Sequence, residues 1–251
     1  MRGKIHVGTS GYSYPEWRGA FYPGKGLPQA RFLEFYAERF DTVEINNTFY
    51  RFPKDALLEG WAKGTPDGFT FAVKAHQGIT HRGRLKDVER ATRDFVAQCA
   101  LLREKLGPIL FQLPPDFRRD DARLAGFLDT LLPGRFAIEF RHASWFEEPV
   151  MKLLEKSGTA LCVAEGEALD TPRRATAKFC YVRLRKDAYT DAELAGWAGW
   201  IARQAEEGRE VFAYLKHDQT GASPERALRL LQGARPAARR AAATRPPRKR
   251  N

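Results

Sequence analysis

A chain of 251 residues, 43% hydrophobic, is long enough for a sizeable core and matches the roughly 250 residues that one α/β barrel uses. Its formal charge of +11 looks like a nucleic-acid footprint, but residues 233–251 hold seven basic side chains (Arg235, Arg239, Arg240, Arg245, Arg248, Lys249, Arg250) and no acid, leaving only +4 on the other 232 residues. That excludes a body that is basic throughout, and no stretch approaches the ~18 apolar residues of a membrane span, so no membrane insertion is expected.

The opening residues, MRGKIHVGTSGY, lack the apolar segment of a secretory leader, so a soluble cytoplasmic protein is expected. A strand begins near Ile5 (IHV), and Tyr12, Tyr14, Trp17, Phe21 and Tyr22 follow it. Leu33, Tyr36, Ala37 and Phe40 then recur at helical spacing. The next strand, TVEI from Thr42, sets Val43 and Ile45 on one face and Glu44 and Asn46 on the other, where a carboxylate and an amide are costly without partners. Phe69 opens a third strand (FTFAVK) leading to Lys74 and His76, after which Val88, Ala91, Phe95, Cys99, Leu102 and Leu106 mark one helical face. Further strands run from Ile109 (ILFQ) to Gln112, from Phe136 (FAIEF) to Glu139 and Arg141, from Ala160 (ALCVA) to Glu165, and from Phe179 (FCYVRL) to Arg183 and Arg185. A helix with Leu194, Trp197, Ala198, Ile201 and Ala205 on one face precedes the eighth strand, VFAYL from Val211, which leads to Lys216 and Asp218. GASPERA at 221–227 then reads as a glycine turn, Ser223 as helix cap and Pro224 in the first turn. A short helix at that place is a common phosphate site in barrels, although an ordinary capped helix has the same pattern.

Eight alternating β and α units predict an α/β fold, a single parallel (β/α)8 TIM-type barrel over residues 1–232, with a disordered basic tail at 233–251. An open doubly wound sheet is the rival, and the missing Gly-rich fingerprint after the first strand argues against it. Cys99, Cys162 and Cys180 lie in apolar runs without ligand spacing and read as reduced core residues. Strand parity assigns Phe71, Val73, Ile109, Phe111, Ile138, Phe140, Val182, Leu184, Ala213 and Leu215 to the face that helices cover. The opposite face ends polar on seven strands: Glu44 and Asn46, Lys74 and His76, Gln112, Glu139 and Arg141, Glu165, Arg183 and Arg185, Lys216 and Asp218. In a parallel barrel those ends meet at one mouth, where barrel enzymes carry their active sites. The competing reading is a satisfied ionic lattice that does no chemistry.

GTSGYSYPEWRGAFYP at 8–23, TVEINNTFYRFP at 42–53, FAVKAHQGITH at 71–81, GPILFQLPPDF at 107–117, AIEFRHASWF at 137–146 and YVRLR at 181–185 together resemble the YecE-like family, domain of unknown function 72, over about residues 3 to 232. The resemblance implies a TIM-type barrel and no settled activity. This chain departs from the family pattern at Glu165, where Asp is expected, and at LKHD (215–218), where the pattern is closer to FNN.

The expected function is an enzyme with Glu139 as acid/base and Glu44 as its partner, and Arg141, Arg183, Lys74 and Lys216 clamping a phosphate-bearing ligand such as a sugar phosphate, nucleotide or nucleic acid. Asn46, His76, Gln112 and Asp218 are expected to contact it, with Tyr12, Trp17 and Trp145 stacking on a base or sugar ring. Two alternatives belong to other classes: a glycosidase using the two glutamates, and a non-catalytic nucleic-acid-binding module using mouth and tail. No cofactor is expected. His76, His81, His142 and His217 lack metal-ligand spacing, so a divalent metal is possible but not favoured.

Overall fold

The computed structural model describes residues 1–166 and 169–235. Eight parallel strands form one sheet: β1 Ile5–Thr9, β2 Thr42–Ile45, β3 Thr70–Lys74, β4 Leu106–Gln112, β5 Phe136–Glu139, β6 Ala160–Glu165, β7 Phe179–Leu184 and β8 Glu210–Leu215, in the order β1-β8-β7-β6-β5-β4-β3-β2. The sheet curls until its edges meet, with Ser10 bridging Glu44 and the Gly11 N–H donating to the Glu44 carbonyl at 2.8 Å. At Gly8 a Cβ would lie 2.3 Å from the Thr42 carbonyl oxygen, so glycine is what allows β1 to approach β2 this closely. The Tyr36 hydroxyl fills the seam, accepting the Thr9 N–H at 2.9 Å and donating to the Thr42 carbonyl at 3.1 Å.

All eight expected strands are present, with β4 starting at Leu106 instead of near Ile109. Helices α1 Phe32–Ala37, α2 Asp55–Lys63, α3 Glu89–Cys99, α4 Asp121–Asp129, α5 Glu148–Ser157, α6 Asp191–Glu206 and α7 Ala222–Ala234 cover the outside. The β6–β7 connection has no helix among its described residues. Among the described residues no helix is long and apolar enough to cross a membrane. The expected helix-facing set joins the outer core, while Ala72, Leu110, Ala137, Cys162, Tyr181, Phe212 and Tyr214 fill the barrel interior. Small side chains on β3, β5 and β6 make room for the aromatic rings of β7 and β8, as a closed eight-stranded interior requires. Cys99, Cys162 and Cys180 are buried free thiols.

Glu165 corrects one parity assignment. Cys162 and Ala164 point inward, so Glu165 points out to the helices, accepting the Trp197 indole N–H at 2.9 Å and pairing with Lys186 at 3.3 Å. Because β6 is apolar on both faces, ALCVA has no alternation from which to read its orientation. The expected tail begins inside α7, which Gly233 and Ala234 complete. Residues 236–251 lie outside the described residues.

Candidate functional site at the barrel mouth

The strand ends converge on Arg183 of β7, whose guanidinium lies between two carboxylates. Its Nη2 donates to Glu44 Oε1 at 2.8 Å and its Nη1 to Glu139 Oε2 at 2.6 Å. All three residues are buried. Glu44 also accepts from Ser10 Oγ (2.8 Å), Asn46 Nδ2 (3.0 Å) and the Tyr181 hydroxyl (2.8 Å). Glu139 accepts from Gln112 Nε2 (2.8 Å), Arg141 Nε (2.9 Å) and Arg185 Nη1 (3.3 Å). A carboxylate has about four lone-pair positions, and four donors occupy each one. The glutamates therefore aim the arginines.

Burial alone would raise the Glu139 pKa, but Arg183, Arg141 and the hydrogen bond from Gln112 overcome it and hold the carboxyl at about 2. Near neutrality this favours the carboxylate form of Glu139. Lys74 is the reverse case. Its ammonium lies 3.9 Å from the centre of the Phe49 ring, with no salt-bridge partner among the described residues. Burial and the nearby Arg183 charge pull its pKa down to about 8, against the opposing pull of Glu139 and Glu44.

Beside this cluster opens a cavity of about 280 Å³, with Glu139, Arg141, Arg185 and Lys216 among its walls, together with Phe140, Ala164 and Thr171. The Arg141 and Arg185 side chains are 30% and 28% exposed, and each uses a single N–H on Glu139 Oε1. Lys216 pairs with the exposed Asp187 at 2.8 Å. A second hollow of about 180 Å³ lies over β1 and β2, lined by Tyr12, Tyr14, Asn46, Asn47 and Trp61. The Tyr12 hydroxyl there accepts the Trp61 indole N–H at 3.1 Å.

Four expected ligand contacts are engaged elsewhere. Trp17 and Trp145 are fully buried. Their indole N–H groups donate to the carbonyls of Asp218 (2.9 Å) and Phe117 (2.7 Å), and Trp145 stacks on Phe140 at 4.7 Å, so both rings pin loops over the barrel. Asp218 turns to the start of α7, where its carboxylate accepts the N–H groups of Thr220 (2.8 Å), Ala222 (3.1 Å) and Ser223 (2.5 Å). Those hydrogen bonds outweigh burial and hold it well below the usual carboxylate range. The expected phosphate site at this helix end is thus filled by the chain's own anion. The cap is Gly221, in the left-handed conformation, and Ser223 Oγ donates to the Lys216 carbonyl. His76 accepts the Gly78 N–H at 3.1 Å and packs on Phe52. His81, His142 and His217 are engaged with Thr80, Ser144 and Glu16. Among the described residues no three His, Cys, Asp or Glu side chains are grouped to hold a metal ion.

Ser10 and Tyr181 also belong to the cluster: Ser10 lies just past the end of β1, and Tyr181 shares the inward parity of Arg183 but looks like ordinary core. Arg185 was legible, since it shares the parity of Arg183.

Comparison with known proteins agrees with this architecture. The profile for "Protein of unknown function DUF72" matches residues 6–251. The UPF0759 protein YecE of Escherichia coli K12 is 32% identical over 145 residues, 57% of this chain and 50% of that protein. The UPF0759 protein YunF of Bacillus subtilis strain 168 is 31% identical over 154 residues, 58% and 53% of the two chains. The chain thus spans about half the length of these curated relatives. A DUF72 family protein from Thermotoga maritima MSB8 superposes with a TM-score of 0.81 at 25% identity, covering 91% of this chain and 98% of that one. One from Enterococcus faecalis V583 reaches 0.77 at 20% identity, covering 92% and 95%. PbGH5A, a glycoside hydrolase family 5 enzyme from Prevotella bryantii B14, shares the fold alone, with a TM-score of 0.50 at 12% identity over 91% of this chain and 95% of its own. With the profile spanning nearly its whole length, the chain belongs to the DUF72 family of proteins of unknown function.

Proposed function

We propose that this barrel is an enzyme whose mouth binds the phosphate of a small organic ligand. One observation carries the reading: among the described residues the cavity wall presents Arg141, Arg185 and Lys216, the last paired with Asp187, beside the carboxylate of Glu139, whose lone pairs are already spent on arginine and glutamine donors. Guanidinium groups held by a fixed anion, as Arg141 and Arg185 are by Glu139, keep their remaining N–H groups aimed for a bidentate oxyanion. Preorganised donors of this kind are the main means of stabilising phosphoryl charge. Glycoside hydrolysis fits less well, because it needs a carboxylic acid that is protonated near neutrality and Glu139 is held ionised.

Calorimetric titration with inorganic phosphate, pentose and hexose phosphates and the corresponding neutral sugars tests this. Phosphate esters should bind in preference to neutral sugars, and Arg185→Ala should weaken them about tenfold, the loss of one charge-assisted pair. Binding of neutral glycosides with no response to phosphate would instead support carbohydrate hydrolysis. No response to either would reduce the cluster to an ionic lattice.

A further inference from the structure

Among the described residues, Arg141, Arg183, Arg185, Lys216 and Lys74 surround the mouth, and four of these have a carboxylate at 3.3 Å or closer: Arg141 and Arg185 on Glu139, Arg183 on both glutamates, Lys216 on Asp187. Lys74 has none among the described residues. It shares the inward parity of Ala72, one strand from Gln112 and two from Glu139, and rests against the Phe49 ring. A guanidinium cannot shed its proton in a protein, whereas a lysine kept from water and set beside other cations can become a free amine.

We infer that Lys74 is a nucleophile that forms a covalent imine with the carbonyl of a phosphate-bearing aldehyde or ketone anchored by Arg141 and Arg185. The inference rests on the phosphate-binding reading above and names the substrate class and the reacting atom. The lone pair of Lys74 Nζ attacks the carbonyl carbon, forming the C–N bond and sending the C=O electron pair to oxygen. That oxygen leaves as water with two protons, one from the amine and one from solvent, and a protonated imine remains. No oxidant or reductant takes part.

The surroundings favour both ends of this step. The charged groups facing Lys74 are Arg183 and Arg141, which favour the free amine, and Glu139 and Glu44, which oppose them. His81 also feels the charges of Lys74 and Arg141. With a pKa of about 8, about a fifth of the residue is free amine at pH 7.4, against about a thousandth for an ordinary lysine. Once the imine forms, its fixed positive charge lies in the field of two permanently placed glutamates, which is where a buried anion contributes to catalysis.

Pyridoxal 5′-phosphate, an aldehyde carrying a phosphate, followed by borohydride reduction and peptide mass mapping of the full chain, is the test. Lys74 should be labelled ahead of Lys216 and the surface lysines, with half-maximal labelling near pH 8. Pyridoxal without its phosphate should label it at least tenfold more slowly, and inorganic phosphate should protect it. Lys74→Arg should lose that label and keep phosphate affinity within about twofold. Label spread over other lysines while phosphate still binds would overturn the imine and leave the anion site standing. Rapid Lys74 labelling that neither needs nor is blocked by phosphate would keep the nucleophile and overturn the anchor.

Discussion

Arg183 and its two glutamates are an expensive set of side chains. Removing three charges from water costs several kcal/mol per ion and is repaid only when geometry is good and the remaining donors and lone pairs are met. Here Glu44 and Glu139 each collect four donors, and only Nε of Arg183 within this trio has no acceptor among the described residues. Taking away one partner should therefore cost far more than the ion pair is worth. Glu139→Gln is expected to lower unfolding free energy by about 3–5 kcal/mol, because Arg183 stays buried with half its counter-charge gone while Arg141 and Arg185 lose their common acceptor. A denaturant midpoint that moves by less than the equivalent of about 1 kcal/mol would contradict this account of the cluster. Sequence parity was sufficient to bring Glu44, Glu139, Arg141 and Arg183 to one place. It could not show that both carboxylates would share Arg183 and have their other lone pairs met by neighbouring donors, since that depends on which strands lie opposite across the barrel.

Among the elements, α7 shows how a motif can be legible and its use misassigned. GASPERA does open a helix beside β8, but Asp218 reaches forward to its first N–H groups. The positive end of the helix is thereby neutralised internally, and the loop is pinned against Trp17. Asp218→Ala removes the acceptor of three backbone N–H groups and should destabilise the protein by about 1–2 kcal/mol, the range of a lost helix cap. Faster amide exchange confined to residues 220–225 would report the same loss, and unchanged exchange there would refute the capping role. The aromatic loop after β1 follows a similar logic: its run of rings is plain in the sequence, but whether Trp17 faces ligand or protein is decided by what β8 and α7 place beside it.

For the whole molecule, the two ends of the barrel set opposite limits on pH. At the end away from the mouth, His6 stacks on Phe212 at 4.8 Å between Glu210 at 2.9 Å and Asp41 at 3.2 Å. Burial lowers the His6 pKa, but the two carboxylates outweigh it and raise it from 6.5 to about 9. A folded-state pKa above the unfolded one gives stability that is complete below pH 6.5 and lost as pH climbs through 9. Glu139, depressed from 4.5 to about 2, gives stability that is complete above pH 4.5 and lost as pH falls through 2. Urea midpoints should therefore be highest between about pH 4.5 and 6.5, and His6→Gln should flatten the alkaline limb while leaving the acid limb in place. An alkaline limb unchanged in that variant would place the titrating group elsewhere. Strand count, barrel class, the helix-facing set and the polar character of the mouth were all legible in the residue pattern, because period-2 alternation and βα spacing are local properties of the chain. It took the closed barrel to set Glu165 against the helices, to seal Trp17 and Trp145, and to leave Lys74 without an acid among the described residues while Arg183 takes two. Burial and pairing depend on residues as far apart as Glu44 and Arg183, and closing the barrel is what brings such residues within 3 Å of each other.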